Sequence, residues 1–443
     1  MSERWARAAL AAYRWAGAGA YPLIGGYLAW RTSRGKEDRG RRRERYGLSK
    51  LPRPTGPLVW VHAASVGETL AVAPLVERIA GFGIHVVLTT GTVTSAKLVQ
   101  DRFGERIIHQ YVPLDLKPAV SRFLDHWVPD LAIIAESELW PVTILELGAR
   151  RIPQVMVNGR LSDRSFASWS KRTYLAEALL EKLSLVLAQS ELDGERYRAL
   201  GARPVIVSGN LKVDTDPPPV DRAELARVEA EIGRRKTWAA VSTHDGEEMI
   251  AAHVHRLLRS RHTDILTIVV PRHPDRADAI EEAMMEKGLR VARRSRGDAI
   301  ASDTDILLGD TIGEMGLYLR LTEIAFLGRS LTADGGQNPL EPAMLDTAVL
   351  SGRNVQNFRD AYRQLVTKGG ARLVQDQDML AGAVNFLLKN DDKRLQMMKA
   401  GRQVVEDMRG ALASTLKALE PYIQPLIVKA RLEDGGKRNN GWT

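Results

Sequence analysis

The stretch that decides the fold is residues 58–68, LVWVHAASVGE, where an apolar run gives way to small and polar residues and then to an acid. The run Leu58–Val61 predicts a buried strand, because short apolar runs bounded by turn residues are typical of parallel sheets. Gly67 permits a tight turn, and apolar residues at helical spacing follow over 69–79. A strand, a turn and a helix in this order begin a βαβ unit, so we predict the α/β fold class.

The same alternation repeats along the chain and predicts two parallel sheets. In the first half the predicted strands are Leu58–Val61, His85–Thr89, Leu131–Ala135, Gln154–Val157, Leu183–Ala188 and Val205–Ser208. In the second half they are Trp238–Val241, Ile265–Val270, Leu289–Ala292, Ile306–Leu308, Ile324–Leu327 and Val349–Ser351. Helical spacing between the strands, as over 143–150, indicates two doubly wound, Rossmann-like domains.

A polar, proline-bearing stretch divides the two halves. Residues 214–219, DTDPPP, do not suit the interior of a sheet, so we place a linker there. The predicted segments are an N-terminal segment 1–53, a first domain 54–212, a linker 213–235, a second domain 236–425 and a loose tail 426–443. Two such domains facing a cleft bind ligands beyond the carboxyl ends of their strands, so the residues that follow each strand are the candidates for chemistry.

The composition is that of a globular protein. At 443 residues, with 44% hydrophobic and 26% charged residues, the chain suits two or three domains, and collagen, coiled coil and wholesale disorder are excluded. It contains no cysteine, which excludes a disulfide framework, a thiolate zinc site and a cysteine nucleophile. Only histidine and oxygen ligands remain for a metal.

The positive charge lies at the N-terminus. The net charge is +9, and residues 1–53 hold thirteen Lys and Arg against four acids. The remainder of the chain is therefore neutral overall, which argues against a nucleic-acid binder, because such a protein carries its cations on the face that meets phosphates. We expect the N-terminal segment to make the charge-dependent contact.

The N-terminal segment has the pattern of a membrane anchor. Residues 15–30 carry no charge and several aromatic side chains, and residues 31–45 hold eight cations. As a helix the uncharged part measures about 24 Å, short of the roughly 30 Å hydrocarbon core, so we expect an anchor in the membrane interface or a shallow span. The basic run then binds anionic lipid and keeps residue 31 onward in the cytoplasm. A cleaved signal peptide and a helix packed on the domain are the alternatives.

Carboxylates and cations follow the predicted strands of the first half. Glu68, at a predicted helix start, is a candidate general base or, alternatively, an acid that stabilises the helix N-terminus. Glu136 and Glu138 follow another strand, and at a spacing of two they cannot share a helix face. Arg160 and Lys212 each place a cation after a strand, where it binds an anionic substrate group or is simply solvated.

The second half carries a loop suited to phosphate. Residues 335–341, GGQNPLE, place two glycines and a proline at a predicted helix start, so free backbone N–H groups favour an anion, and Glu341 suits ribose hydroxyls. No GxxxxGK[ST] or GxGxxG pattern occurs, which argues against an ATPase and a standard dinucleotide oxidoreductase. His62, His244 and His273 are too dispersed to predict a metal site.

Eight motifs in a fixed order resemble those of one family. They are HAASVGE (62–68), AESELWP (135–141), NGRLSDRS (158–165), SGNLKVD (208–214), STHDGEE (242–248), VPRHPDR (270–276), GDTIGE (309–314) and GGQNPLEPA (335–343). Together they resemble the 3-deoxy-D-manno-octulosonic acid (Kdo) transferases of lipopolysaccharide biosynthesis. The resemblance implies a GT-B glycosyltransferase that takes Kdo from CMP-Kdo and places it on a lipid A precursor, lipid IVA, at the cytoplasmic face of the bacterial inner membrane.

The resemblance also implies roles for single residues. Glu68 corresponds to the family's proton acceptor, which in one direct displacement inverts the anomeric configuration, and Glu136 and Lys212 correspond to residues that steady the transition state. The residues that correspond to the CMP site are Pro271, Arg272, Ile312, Gly313, Glu314, Asn338, Pro339, Leu340 and Glu341. No bound cofactor or metal is implied, and magnesium is a candidate for an assay component only.

Four positions depart from the family's pattern, namely Ser137, Val142, Arg329 and Gln337. Gln337 stands where the family has a histidine and Arg329 where a second glycine is common, and we expect these two departures to alter the phosphate contacts and to tune donor preference. For the basic run we expect that changing Arg41–Arg43 together to Ala weakens liposome binding, with little loss on a detergent-dispersed acceptor.

Two other functions fit a chain of this shape. One is another GT-B enzyme, such as a UDP-sugar transferase or a nucleotide-sugar epimerase, which inhibition by UDP rather than CMP would indicate. The other is a membrane-attached scaffold that binds a nucleotide sugar without turnover. Intact Glu68, Glu136 and Lys212 argue against the scaffold.

Overall fold

The computed structural model describes Leu10, residues 12–13 and residues 24–439, and the chain divides into two compact units. Unit 1 is drawn from Met1–Thr215 and Arg409–Thr443, and unit 2 from Asp216–Met408. Each unit contains one seven-stranded parallel sheet with helices packed on it, so the predicted α/β class is confirmed.

The sheet of unit 1 reverses its strand order near the middle. Its strands are β1 (Leu58–Ala63), β2 (His85–Thr90), β3 (Ile108–Tyr111), β4 (Leu131–Ala135), β5 (Gln154–Gly159), β6 (Leu185–Ala188) and β7 (Val205–Val207). They lie in the order β3-β2-β1-β4-β5-β6-β7, and β1 pairs with both β2 and β4. The reversal falls between β1 and β4, which is where ligands bind in open α/β sheets.

Helices cover both faces of this sheet. They include α1 (Ile24–Ser33), α2 (Val66–Gly81), α3 (Val93–Phe103), α4 (Lys117–Trp127), α5 (Pro141–Ala149), α6 (Asp163–Ser170), α7 (Thr173–Leu180) and α8 (Glu191–Ala199). On one face, α2 buries Val72 and Val76 against β1 and β2. On the other, Phe123 of α4 packs on Trp60 of β1 with ring centroids 4.7 Å apart.

Unit 2 repeats the architecture with a different strand order. Its strands are β8 (Thr237–Thr243), β9 (Leu266–Pro271), β10 (Val291–Arg293), β11 (Ile306–Leu308), β12 (Ile324–Leu327), β13 (Ala348–Ser351) and β14 (Ala371–Leu373), in the order β10-β11-β9-β8-β12-β13-β14. Its helices are α9 (Arg222–Ile232), α10 (Glu247–Arg259), α11 (Ala277–Glu286), α12 (Met315–Arg320), α13 (Leu340–Met344), α14 (Arg359–Thr367), α15 (Gln377–Lys389) and α16 (Asp391–Met408). Here the reversal falls between β8 and β12.

Every predicted strand is present, with ends shifted by at most two residues. Strands β3 and β14 are additional to the predicted set. Both are edge strands of three or four residues. Their sequences, IHQY and ARL, mix polar with apolar residues and so lack the continuous apolar run that identifies the central strands of a parallel sheet.

The last helix, α17 (Ala411–Asn439), belongs to unit 1. Leu419, Ile423 and Leu426, spaced by about one helical turn, are buried with the core that α2 covers. Asp214 fixes the start of this helix by accepting hydrogen bonds from the backbone N–H groups of Gly410 (2.9 Å) and Leu412 (2.5 Å).

Two predicted boundaries therefore need correction. The second domain ends at residue 408 rather than 425, and residues 426–439 are helical rather than a loose tail. Helix α9 lies within the predicted linker, in unit 2. The end of the second domain was wrong because the helical pattern of α17, at the end of the chain, does not indicate which of the two sheets the helix packs against.

The predicted anchor is described only in part, since its residues 15–23 lie outside the described residues. Helix α1 leaves Tyr27 (52%) and Trp30 (50%) about half exposed. Within the ranges that the structure describes, no helix combines the length and apolar character needed to cross a membrane.

Two arginines of the basic run are part of the packing of unit 1. Arg41 donates to the carboxylate of Glu44 at 2.8 and 2.9 Å and to the carbonyl oxygen of His109 at 2.8 Å. Arg45 is buried, and it pairs with Glu37 and donates to the carbonyl oxygen of Gly91 at 2.7 Å. The expectation that changing Arg41–Arg43 together weakens liposome binding stays a prediction, and because Arg41 is held by protein partners, that change also removes packing contacts. The exposed cations of the run are Arg34, Lys36, Arg39 and Arg43.

Candidate active site

Three loops at the carboxyl ends of unit 1 strands carry the residues predicted to be catalytic. Glu68 follows β1 and Glu136 follows β4, which are neighbours at the reversal of the sheet. Lys212 lies beyond β7 in a short 3-10 helix, Leu211–Val213. The fold thus brings residues that are far apart in sequence to one edge of the sheet.

Glu68 is held by the first turn of α2. Ser65 caps the helix: its hydroxyl oxygen accepts from the backbone N–H of Glu68 at 3.3 Å, and its O–H donates to Oε1 of Glu68 at 2.8 Å. The other oxygen, Oε2, accepts from the backbone N–H of Ala64 at 2.8 Å. This is a variant of the capping box in which the carboxylate accepts from the residue before the N-cap, so the helix-stabilising role considered from the sequence is present. It also fixes the carboxylate in one orientation.

The pKa of Glu68 lies far above that of an ordinary glutamate. Burial, and next the negative charge of Glu136, raise the pKa of Glu68 to about 7, with Glu138 adding to the rise. The hydrogen bonds from Ser65 and Ala64 offset part of this effect. A carboxylate with a pKa near neutral pH is partly ionised there and is basic enough to take a proton from a hydroxyl, as general-base catalysis requires.

Glu136 and Lys212 form an ion pair in the same site. Nζ of Lys212 lies 2.5 Å from Oε1 of Glu136, and the two side chains are 22% and 13% exposed. The backbone of Glu136 is left-handed, with φ 56°, and its carbonyl oxygen accepts from the hydroxyl of Tyr197 at 3.3 Å. A left-handed conformation is uncommon for a residue other than glycine and is held by its surroundings, which is a feature of functional sites.

Asn158 was not predicted as a site residue, although it begins the NGRLSDRS motif. Its Oδ1 accepts from the backbone N–H of Leu211 at 3.0 Å, and its Nδ2 lies 3.5 Å from Oε1 of Glu136. Like Glu136 it has a positive φ, 53°, and it is fully buried. Neither the burial nor the backbone conformation is visible in the motif, which had been noted for its cation.

The other predicted groups of unit 1 have different partners. The carboxylate of Glu138 accepts from the indole N–H of Trp140 at 2.5 Å, and burial raises its pKa. Arg160 interacts electrostatically with Asp193. Burial raises the pKa of Asp193, and the positive charge of Arg160 offsets part of that rise. Of the two acids at a spacing of two, Glu136 is thus the one that pairs with the cation.

In unit 2 one buried carboxylate joins the loops at the reversal of the sheet. Glu247 is 0% exposed and accepts from the backbone N–H groups of His244 (2.9 Å), Arg329 (2.6 Å), Ser330 (2.9 Å) and Leu331 (3.0 Å). It therefore fixes the loop after β8 against the loop after β12. The motif STHDGEE contains Glu247 but does not indicate this role, because the partners of Glu247 include backbone groups of a segment distant in sequence.

Gln337, one of the departures from the family's pattern, lies beside a histidine. Its Nε2 is 3.4 Å from Nε2 of His244, and the ring centroids of His244 and His273 are 5.6 Å apart. Burial, and next the charge of Arg329, lower the pKa of His244. The lowered pKa favours the neutral ring, whose Nε2 can accept from the amide of Gln337.

The predicted CMP-site residues lie on loops at this edge of unit 2. Pro271 ends β9, and the backbone N–H of Arg272 donates to the carbonyl oxygen of Thr243 at 3.0 Å. Ile312 is 79% exposed, which is unusual for a large apolar side chain. The carboxylate of Glu314 is already paired with Arg294, at 2.6 and 3.1 Å, so it shapes its loop from within.

The loop GGQNPLE has the backbone that its glycines predict. Gly335 and Gly336 both have positive φ, at 124° and 71°, and a Cβ at Gly335 would lie 2.5 Å from Nδ2 of Asn357. Helix α13 begins at Leu340, one residue after Pro339. Oδ1 of Asn338 accepts from the backbone N–H of Leu340 at 3.2 Å, and its Nδ2 donates to Oε1 of Glu341 at 3.1 Å.

Over the described ranges, no three His, Asp or Glu side chains are grouped as metal ligands would be.

Comparisons with known proteins point to one family. The model of the family described as 3-Deoxy-D-manno-octulosonic-acid transferase (kdotransferase) matches residues 40–215. A 3-deoxy-D-manno-octulosonic acid transferase of Haemophilus influenzae is 35% identical over 416 residues, which cover 91% of this chain and 96% of that protein. A Bordetella pertussis protein of the same name is 34% identical, over 85% of this chain and 90% of its own length. A glycosyltransferase structure from Rickettsia africae matches with a TM-score of 0.58 at 14% identity, covering 85% of this chain and 100% of that one, which supports the fold alone.

Proposed function

The chain belongs to the 3-deoxy-D-manno-octulosonic acid transferase family, and from that premise we propose that it transfers Kdo from CMP-Kdo to the lipid A precursor lipid IVA in lipopolysaccharide core biosynthesis. The observation that carries this proposal is the site of unit 1, where a carboxylate with a raised pKa, Glu68, lies within the electrostatic influence of the Glu136–Lys212 pair. Such a site is suited to deprotonate a sugar hydroxyl and to balance charge during the transfer.

Glu68 is the proposed general base. An acceptor hydroxyl is a weak acid, so its attack on the anomeric carbon requires a base that is both ionised and aligned. The two hydrogen bonds to its carboxylate fix its direction, and its pKa of about 7 matches the operating pH. The hydroxyl oxygen forms the new glycosidic bond while CMP leaves with the bonding electrons, and Glu68 takes the proton. A single displacement of this kind inverts the anomeric configuration.

Glu136 and Lys212 are proposed to steady the transition state. The donor carries a phosphate and a sugar carboxylate, and negative charge grows on the phosphate as the bond breaks. The ammonium of Lys212 suits that charge, and its contact with Glu136 at 2.5 Å holds it in place before the substrate arrives. A cation placed in advance needs no reorganisation when the charge develops.

The CMP part of the donor is proposed to bind to unit 2. Arg272 offers a guanidinium to the phosphate, and the loop offers backbone N–H groups after Gly336. The N–H groups of Gly335 and Gly336 themselves donate to Oε1 of Gln356 (3.0 Å) and to the carbonyl oxygen of Arg329 (2.8 Å), so the two glycines shape the loop. Glu341 suits the ribose hydroxyls. The exposed side chain of Ile312 suits one face of the cytosine, and the pair between Glu314 and Arg294 holds that loop in shape. Pro271, Gly313, Asn338, Pro339 and Leu340 complete the proposed set.

We place the reaction at the cytoplasmic face of the bacterial inner membrane. The half-exposed Tyr27 and Trp30 suit the headgroup region, where amphipathic aromatic rings accumulate. The guanidinium of Arg34 lies 4.4 Å from the ring centroid of Trp30, and Lys36 and Arg39 are exposed nearby in sequence. Cations beside aromatic rings are suited to a surface of anionic lipid.

The proposed chemistry uses the residues of the chain and no protein-bound metal. The roles of base and of charge stabiliser are filled by Glu68 and Lys212. Magnesium enters this proposal as an assay component only. Activity that survives EDTA would support this, and loss of activity restored by Zn²⁺ but not by Mg²⁺ would contradict it.

The decisive experiment incubates the purified protein with CMP-Kdo made in situ and a tetra-acylated lipid A precursor, followed by mass spectrometry of the product. Mass increments report both the reaction and the number of sugars added. Glu68→Ala should fold, bind CMP and fail to transfer, whereas Glu138→Gln, which removes a neighbouring carboxylate, should remain active. Turnover by Glu68→Ala at the wild-type rate would reject the base. Inhibition by UDP but not by CMP would instead favour the UDP-sugar enzymes.

A further inference from the structure

One buried amide links the loops that carry Glu136 and Lys212. Asn158 lies in β5, next to β4, and is 0% exposed. Its φ of 53° places it in the left-handed region, which asparagine tolerates better than most residues. A buried residue in this uncommon backbone conformation points to a specific role for its side chain.

The partners of the amide determine its orientation. The backbone N–H of Leu211 can only donate, so the atom 3.0 Å from it is the acceptor Oδ1. Nδ2 then faces Oε1 of Glu136 at 3.5 Å, and an ionised carboxylate can only accept. The same Oε1 lies 2.5 Å from Nζ of Lys212. The side chain of Asn158 therefore contacts the carboxylate of Glu136 and also the backbone of Leu211, the residue before Lys212.

We propose that Asn158 is a positioning residue that sets the geometry of the Glu136–Lys212 pair. The inference rests on the proposed function, in which that pair steadies the transition state. Oε1 of Glu136 faces Nδ2 of Asn158 at 3.5 Å and Nζ of Lys212 at 2.5 Å. Asn158 thus holds this oxygen on the side of Lys212 and keeps Lys212 within reach of the same charge.

Four titratable groups interact with Glu136, and any test must take them into account. Lys212 forms an ion pair with Glu136. Burial raises the pKa values of Glu68, Glu138 and Tyr197, and the negative charge of Glu136 raises each of them further. A new carboxylate at position 158 would join this set directly against Oε1.

Asn158→Asp is the sharpest test because it replaces only the amide NH2 group of the side chain by an oxygen atom. Aspartate tolerates the left-handed backbone and still accepts from the N–H of Leu211, but an oxygen replaces the N–H group that faces Glu136. We expect kcat for Kdo transfer to fall about tenfold or more, since a displaced catalytic group is costly. As the pH falls, one proton shared between the two carboxylates restores a hydrogen bond, so the ratio of variant to wild-type kcat should rise.

Two further variants separate positioning from general damage. Asn210→Asp makes the same change in the loop of Lys212 and keeps the bond from Oδ1 to the backbone N–H of Lys212 (3.1 Å), so its loss should be smaller and without recovery at low pH. In a Glu136→Gln background, Asn158→Asp should cause no further fall in kcat, because the group through which it acts is already neutral.

The outcomes are distinct. A wild-type kcat for Asn158→Asp, or the same fold loss with and without Glu136→Gln, would overturn the inference while leaving the proposed function intact. Absence of Kdo transfer by the wild-type protein would instead reject the proposed function. Thermal melting identifies variants that do not fold. If Asn158→Asp is one of them, Asn158→Gly, which keeps the backbone conformation, is measured in the same cycle with Glu136→Gln.

Discussion

Glu136 lies between a cation and a base: Oε1 of Glu136 is 2.5 Å from Nζ of Lys212, and the charge of Glu136 raises the pKa of Glu68. The ionisation of the proposed base therefore depends on the charge of Glu136, which in turn is paired with Lys212. Because the pKa of Glu68 is about 7, a shift in either direction changes its ionised fraction at physiological pH.

Removing the charge of Glu136 should make Glu68 more acidic. In Glu136→Gln the carboxylate that disfavours ionisation of Glu68 is gone, so the acidic limb of the kcat/KM profile should move to lower pH. The same shift should appear in a 13C NMR titration of the Glu68 carboxyl carbon, which does not depend on activity. An unchanged limb and an unchanged titration would mean that the two carboxylates are not coupled.

Removing the cation should have the opposite effect. In Lys212→Met the charge of Glu136 acts on Glu68 without its counter-ion, so the pKa of Glu68 should rise above about 7 and the acidic limb should move to higher pH. We also expect a loss of kcat of about a hundredfold, since a charge-stabilising donor is removed. Opposite shifts in the two variants would establish the charge balance, whereas shifts of the same sign would refute it.

The raised pKa of Glu68 has a consequence for stability. A carboxyl whose pKa is raised on folding binds its proton more tightly in the folded state, so the stability it contributes is lost as the pH rises from about 4.5 towards about 7. Glu68→Gln cannot ionise. Relative to the wild type, the free energy of unfolding of this variant should therefore rise by up to about 3 kcal/mol across this window. Denaturant titrations at several pH values measure the difference, and Glu77→Gln on the exposed side of α2 serves as the control.

The exposed cations of the N-terminal segment should govern lipid affinity. Changing Arg34, Lys36 and Arg39 together to Ala should weaken binding to vesicles that contain anionic lipid by about 1 kcal/mol per cation. Activity on a detergent-dispersed acceptor should change little, because these exposed side chains are not among the proposed catalytic or CMP-binding residues. Equal losses in both assays would reject the membrane role.

Arg41→Ala is the matched variant for that experiment. Since Arg41 binds Glu44 and the backbone of His109, its loss should lower the melting temperature rather than selectively weaken vesicle binding. This is why Arg41–Arg43 changed together would mix two effects.

Gln337 offers a test of donor recognition. Its amide lies 3.4 Å from Nε2 of His244, and Gln337→His replaces that donor with a ring that titrates near neutral pH. We expect KM for CMP-Kdo to change severalfold, with a pH dependence that the wild type lacks. Unchanged kinetics with CMP-Kdo would remove the role of this position in donor preference.

The architecture was predictable from the sequence because parallel sheets have a strong signal. Strands such as Leu131–Ala135 and Ile306–Leu308 are buried on both faces and appear as continuous apolar runs. The edge strand Ile108–Tyr111 was not predicted, since its IHQY sequence has no such run. The packing of α17 against unit 1 was also not predictable, because it depends on contacts with core residues that lie far away in sequence.

The site was predictable to the level of the loops that carry it. The order of the motifs identified Glu68, Glu136 and Lys212 as candidates, and the structure places them at one edge of the sheet. The roles of Asn158 and Glu247 were not predictable, because each depends on backbone groups of a segment remote in sequence. The partition of the basic run into packed and exposed arginines likewise depends on the tertiary fold.

Helix α17 makes unit 1 discontinuous: its sheet is encoded before unit 2, yet Leu419 and Ile423 of its core are encoded after it. During translation, the ribosome must therefore synthesise all of unit 2 before those residues emerge. The part of the protein that is made first is completed last. Until then the apolar surface that α17 covers is open to solvent, which makes the nascent chain a natural client for chaperones.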